Sequence, residues 1–208
     1  MQVLHLDSSI LGDASGSRAL SASIVSAIRT HNPDVNVVYR DLVLDAIPHL
    51  DGPIASGFRD LSIASDDPHV AREHARSDAL VHELQGSDVI VVGAPMYNFS
   101  VATQLKAWID RVMQPGKTFK YTPAGPVGLA GGKRVIVAST RGGVYTAGPM
   151  AALDFQETYL KAAFGFIGIT DVHYLRAESM SRGPDIRARA MEDARAGVLR
   201  VVDAALRD

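Results

Sequence analysis

The chain has 208 residues, of which 47% are hydrophobic and 21% charged, which is ordinary globular composition and enough apolar residues for one domain spanning 1–208. A net charge of −2 excludes the basic balance of a nucleic-acid binder. The absence of cysteine excludes disulfides, thiolate nucleophiles and Cys-ligated metals, and no other metal site is read.

The opening Met1–Asp7 lacks a basic, apolar leader, and no run approaches the roughly 18 apolar residues of a membrane span. A cytoplasmic protein is expected, with neither a membrane span nor a nucleic-acid partner. In chain order, Gln2–Leu6 predicts a first strand, Ser17–His31 a helix, Val35–Arg40 a second strand and Val70–Leu84 a helix. Asp88–Gly93 then predicts a third strand, Ala102–Met113 a helix, Arg134–Ser139 a fourth strand and Ala151–Ala163 a helix. Thr170–Leu175 is the fifth strand, and a last helical pattern covers Pro184–Arg207. Short, continuous apolar runs read as strands buried on both faces, hence a parallel sheet. Val101, Leu105, Trp108, Ile109 and Val112 share one helical face. The expectation is a doubly wound α/β domain with a five-stranded parallel sheet and helices on both faces. Two long connections, Asp41–Asp67 and Gln114–Lys133, are rich in Pro and Gly and read as functional loops.

In such sheets ligands bind beyond the carboxyl ends of the strands, where strand order reverses. After the first strand, Ser8–Ser17 offers small hydroxyl and glycine residues ahead of a helix start, suited to a phosphate. Ser15 or Ser17 acting only as a helix cap is the plainer reading of the same residues. With no lysine in the loop, a monophosphate held by neutral donors fits better than a triphosphate. After the third strand, Met96-Tyr97-Asn98-Phe99-Ser100 carries two aromatics, suited to stacking on a flat ring or folding back on the core. After the fourth, Thr140-Arg141-Gly142-Gly143 offers unobstructed N–H groups, or a simple turn. Gly116-Lys117-Thr118 is rejected as a phosphate loop, since Arg111 stands where the required glycine belongs. His69, His74 and His82 read as solvated, and Arg72, Glu73 and Arg76 as an exposed helix face.

Ser9 with Ser15-Gly16-Ser17, Ala94–Phe99 and Thr140–Gly143 together resemble the FMN-dependent NADH azoreductase family of flavodoxin-like NAD(P)H quinone reductases. Asn98–Lys106, Phe119–Thr122 and Gly165–Thr170 are similar to that family too, in the expected order along essentially the whole chain. The resemblance implies bound FMN, with Ser9, Ser15, Gly16 and Ser17 around its phosphate. Met96, Tyr97, Asn98 and Phe99 would line the isoalloxazine ring, and Thr140, Arg141, Gly142 and Gly143 its pyrimidine end. It implies NADH or NADPH as co-substrate, and quinones or aromatic azo compounds reduced by two-electron ping-pong transfer. The flavin N5 would carry the chemistry, with no catalytic side chain. It further implies a homodimer with shared active sites, in which the Asp41–Asp67 loop would complete a neighbour's pocket; Tyr97 and Phe99, with Phe119 or Tyr121, are candidates for a flat apolar slot, and Arg59 for meeting an anionic substrate group. Gly16 stands where relatives often have glutamine, and Thr140 where they often have serine, so weaker side-chain contacts are expected there. The alternative is a flavodoxin-type electron carrier, but such carriers tend to be strongly acidic.

Overall fold

The computed structural model describes residues 1–59 and 66–207. In chain order it contains β1 (Gln2–Asp7), α1 (Gly16–His31), β2 (Asn36–Asp41), α2 (Gly52–Ser56) and α3 (Pro68–Gly86). β3 (Val89–Pro95), α4 (Thr103–Val112), β4 (Phe119–Thr122), β5 (Gly125–Gly128) and β6 (Arg134–Thr140) follow. The chain ends with α5 (Phe155–Phe166), β7 (Asp171–Ala177), α6 (Pro184–Ala196) and α7 (Val198–Leu206).

Five strands form one parallel sheet in the order β2-β1-β3-β6-β7. β1 pairs with β2 on one side and β3 on the other, so the order reverses between β1 and β3, the crevice the topology reserves for a ligand. The central strand β3 is buried at every position, because helices cover both faces. Val89, Ile90, Val91 and Val92 are all fully buried, and each contributes about 1.5–3 kcal/mol relative to exposure. One face packs on α3, α4 and α5, through Leu80, Leu84, Leu105, Trp108, Leu160 and Phe164. The other packs on α1, α6 and α7, through Leu20, Ile24, Ile28, Met191, Val198 and Val202.

The structure departs from the expected elements in four places. The Gln114–Lys133 connection holds an antiparallel hairpin, β4–β5, in register from Phe119↔Gly128 to Thr122↔Gly125. Four-residue strands interleaved with Pro and Gly carry no readable alternation. The last helical pattern is interrupted at Gly197, whose N–H turns back to the Ala194 carbonyl. Helix five begins at Phe155, because the Asp154 side chain accepts the Glu157 N–H and sets the start there. The expected Asp41–Asp67 connection contains α2, and residues 60–65 of it lie outside the described residues. Among the described residues, no helix is long and apolar enough to cross a membrane.

Candidate active site

The segment after β1 is fixed in place without any ligand. Ser15 caps α1, its Oγ accepting the Arg18 N–H at 3.2 Å, and its hydroxyl also lies 3.0 Å from Ser17 Oγ. The cap reading is therefore right, and it does not compete with a cradle, since a hydroxyl oxygen has two lone pairs and a proton to share. The N–H groups of Gly16 and Ser17 have no acceptor among the described residues, as the first turn of a 16-residue helix dictates. With the hydroxyls of Ser9, Ser15 and Ser17 they make a set of neutral donors matched to a phosphate monoester. The nearest arginine supplies no charge to it. Arg18 is spent on Asp41, at 2.5 and 2.7 Å, and on the Ser9 carbonyl at 2.9 Å. That hydrogen bond and ion pair hold the Asp41 carboxyl below its ordinary value, and the two carbonyl and carboxylate partners fix the loop to the end of β2. From the other flank, Arg187 of α6 donates to the Ala14 carbonyl at 2.8 Å.

Gly16 has a visible reason. A Cβ there would stand 2.8 Å from Met180 Cε and 3.1 Å from Met191 Sδ, so two thioethers fill the space a longer side chain would take. Gly93 is required more strictly. A Cβ on it would run into the carboxylate of Asp7, which is buried and accepts from Ser21 Oγ at 2.7 Å. Gly93 also accepts the Ser8 hydroxyl at 2.8 Å, so the ends of β1 and β3 interlock where the two loops leave the sheet.

The loop after β3 is a two-residue reverse turn. Tyr97 and Ser100 exchange backbone hydrogen bonds at 3.0 and 3.1 Å, with Asn98 at φ 46° and Phe99 at φ 74° between them. Left-handed backbone at a phenylalanine costs on the order of 1–3 kcal/mol and is found where function holds it. The turn aims Asn98 and Phe99 outward, Phe99 being 40% exposed, so these side chains do not fold back into the core. Tyr97 instead reaches sideways. Its hydroxyl lies 3.2 Å from Ser9 Oγ and accepts the Ile10 N–H at 3.2 Å. Met96 donates its N–H to the Thr140 carbonyl at 2.8 Å, which joins this loop to the one after β6.

In that third loop the Gly142 and Gly143 N–H groups have no partner among the described residues, while their carbonyls accept from Ser181 and Ser179. Arg141 behaves otherwise than expected. Its side chain is fully buried, paired with Asp154, Glu157 and Glu178, and its N–H donates to the Ala177 carbonyl. It braces the loop from beneath and offers a ligand nothing. Tyr145 meets Phe99 edge-on, with ring centroids 6.3 Å apart.

Arg59, Phe119 and Tyr121 come together, but elsewhere. They line a groove of about 580 Å³ with Met113 and Phe166. Phe119 forms its wall, packed edge-on against Tyr121 and Phe166, and Tyr121 is 72% exposed. This groove sits at the far end of the ten-residue α4 from the Asn98–Phe99 turn, about 15 Å of helix away. Two surface readings also need correction. Glu73 is buried and paired with the equally buried Arg111 at 2.7 Å, because a cation emerging from α4 beneath α3 needs a counter-charge. His74 is half-buried, and its Nε2 donates to the Ile54 and Pro53 carbonyls, tying α2 to α3. Among the described residues no cluster of His, Asp and Glu suits a metal ion. Glu178 was not foreseen, since it follows the fifth strand, away from the crevice, and no motif marks it.

Residues 1–202 match the model of a family described as having a flavodoxin-like fold. The chain is 66% identical over 206 residues to a protein of Ralstonia nicotianae named FMN-dependent NADH:quinone oxidoreductase, covering 99% of each. It is 57% identical over 202 residues to FMN-dependent NADH:quinone oxidoreductase 2 of Xanthomonas euvesicatoria, covering 97% of this chain and 94% of that one. Among solved structures, an azoreductase from Bacillus anthracis superposes with a TM-score of 0.87 at 27% identity, over 98% of this chain and 99% of the other.

Proposed function

The chain belongs to the flavodoxin-like fold family, and we propose that it is an FMN-dependent oxidoreductase that takes hydride from NADH and reduces quinones and aromatic azo compounds. For a quinone the balance is NADH plus quinone plus a proton giving NAD⁺ plus quinol. Bound FMN supplies the hydride-accepting N5 and the two-electron store through which donor and acceptor react in turn. The protein's part is to bind, orient and bias it. Ser9, Ser15 and Ser17 hydroxyls with the Gly16 and Ser17 N–H groups hold the phosphate. The Met96–Phe99 turn lines the ring, and the Gly142 and Gly143 N–H groups, with the Thr140 carbonyl spent on Met96, steady negative charge gathering at the pyrimidine end.

The observation that carries this reading is the tie between three loops at one crevice: Tyr97 to Ser9, and Met96 to Thr140. Calorimetric titration of apoprotein with FMN should show micromolar or tighter binding, and the loaded protein should oxidise NADH steadily with a soluble quinone. Absence of FMN binding would overturn it. Binding without turnover would make the chain an electron carrier instead. NADPH serves as the comparison nucleotide in the same assay.

The enzyme is a homodimer in this reading, with active sites shared between subunits. What supports it is the separation along α4, since Arg59, Phe119 and Tyr121 suit an acceptor slot yet stand far from their own cradle. A second copy can bring its groove over the first copy's ring. We place the enzyme in the cytoplasm, where its nicotinamide co-substrate is regenerated.

A further inference from the structure

Three carboxylates surround one fully buried guanidinium, that of Arg141: Asp154 at 2.9 Å, Glu178 at 3.3 Å, and Glu157. Charge balance does not need all three. Asp154 has a second task in capping α5, and Glu157 has one in pairing with Arg176. Glu178 has a different one. Its Oε1 accepts the Tyr145 N–H at 2.7 Å and the Thr146 N–H at 3.1 Å, and its Oε2 accepts the Thr146 hydroxyl at 2.6 Å. Two consecutive N–H groups converging on one oxygen fix the peptide plane between them.

The segment this carboxylate grips leads out of the Gly142–Gly143 pair. Upstream, the glycine carbonyls hang on Ser181 and Ser179, in the same β7–α6 connection as Glu178. Downstream, residues 146–150 are exposed, and only the single 3₁₀ turn Ala151–Leu153 intervenes before α5. Between these limits Glu178 is the side chain that anchors the loop's outer half, and with it the Tyr145 ring that meets Phe99.

We propose that Glu178 is a positioning residue of the flavin site, holding the Gly142–Thr146 loop so that its glycine N–H groups and the Tyr145 ring face the bound ring. The inference rests on the FMN reading above and deepens it. Its immediate consequence is graded. Glu178→Ala removes three bonds to the loop, Thr146→Val removes one, and Asp154→Asn disturbs the same buried arginine while touching no loop atom.

Apoproteins of the parent and of four variants are titrated with FMN by calorimetry, alongside melting temperature and amide exchange at Tyr145 and Thr146. Glu178→Ala should weaken FMN about tenfold or more, the equivalent of one charge-assisted hydrogen bond, with accelerated exchange at both amides and an altered absorption band of the bound flavin. Thr146→Val should weaken it by a smaller factor, and Glu178→Gln, which keeps one acceptor oxygen, should recover part of the loss. Asp154→Asn should lower the melting temperature with FMN affinity unchanged. If FMN affinity follows melting temperature across all variants, or if Glu178→Ala binds as tightly as the parent, the positioning role is wrong. If the parent apoprotein itself ignores FMN, the cofactor reading fails first.

Discussion

Tyr97 illustrates how a single side chain can serve a site by standing beside it. Its hydroxyl bridges Ser9 Oγ and the Ile10 N–H, so it joins the segment after β1 to the Asn98–Phe99 turn. Tyr97→Phe deletes both bonds and should weaken FMN about three- to tenfold at nearly unchanged melting temperature, as titration of the apoprotein would report. Two carboxylates carry a pH signature. For Glu178, burial pushes the carboxyl up, but the Thr146 hydroxyl, the Tyr145 N–H, Arg141 and the Thr146 N–H outweigh it and hold the group below its ordinary value. Asp41 is held low first by its hydrogen bond with Arg18. Such groups add stability that is complete above the unfolded-chain value, about 4 for both, and is lost as pH falls through the lower folded value. Melting temperature should therefore hold from neutrality down to about pH 5 and then drop, and Glu178→Gln should make that drop shallower. Legibility at this scale was uneven. The placing of Ser9, Ser15 and the Gly142–Gly143 pair at the strand ends was readable because small side chains and glycine after an apolar run announce such loops by composition. Glu73 misled because an ionisable residue in an isolated string looks solvated, and only packing reveals the counter-charge beside it, while the burial of Arg141 under its loop is equally invisible before the chain folds.

At the scale of elements, α3 and α4 are clamped by a buried pair rather than by apolar contact alone. Arg111 donates to Glu73 Oε2, Ser77 Oγ and the carbonyls of Glu73 and Pro48. Glu73→Ala would strand a buried guanidinium and should cost about 3–5 kcal/mol in urea denaturation. The double replacement Glu73→Leu with Arg111→Met should recover most of that loss, because neither charge then remains unpaired. The five parallel strands were legible for a plain reason: a strand covered on both faces must be apolar at consecutive positions, as β3 is from Val89 to Val92. The β4–β5 hairpin was not, since Phe119 alone of its eight strand residues is buried and β5 carries the turn-forming Gly125 and Pro126. The interruption at Gly197 was equally silent, because the apolar periodicity runs through α6 and α7 with little change of phase.

For the whole molecule, topology decides where the loops after β1, β3 and β6 lie, and the proposed dimer turns on the groove at the other end of α4. Native mass by light scattering should be twice that of the 22.2 kDa chain. Tyr121→Ala should raise the KM for quinone several-fold with FMN affinity unchanged. Mixed dimers give the sharper result. Subunits carrying Tyr121→Ala, combined with subunits carrying Ser9→Ala and Ser15→Ala, should turn over quinone at low concentration faster than either homodimer, since one intact cradle then faces one intact groove. No gain would mean that each subunit works alone. The crevice was readable from strand order, a property of the sequence pattern. The distance between cradle and slot was not, because it depends on which end of a helix each side chain occupies.

The segment from Ser9 to Ser17 is held at both flanks, by Arg18 on the Ser9 carbonyl and by Arg187 on the Ala14 carbonyl. Its shape is thus set before any mononucleotide arrives, and loading requires no slow rearrangement. In stopped-flow mixing, the rate at which flavin fluorescence changes should rise linearly with FMN concentration without levelling off, and Arg187→Ala should introduce a plateau. On that outcome, the two arginines confer speed of capture and not only strength of grip.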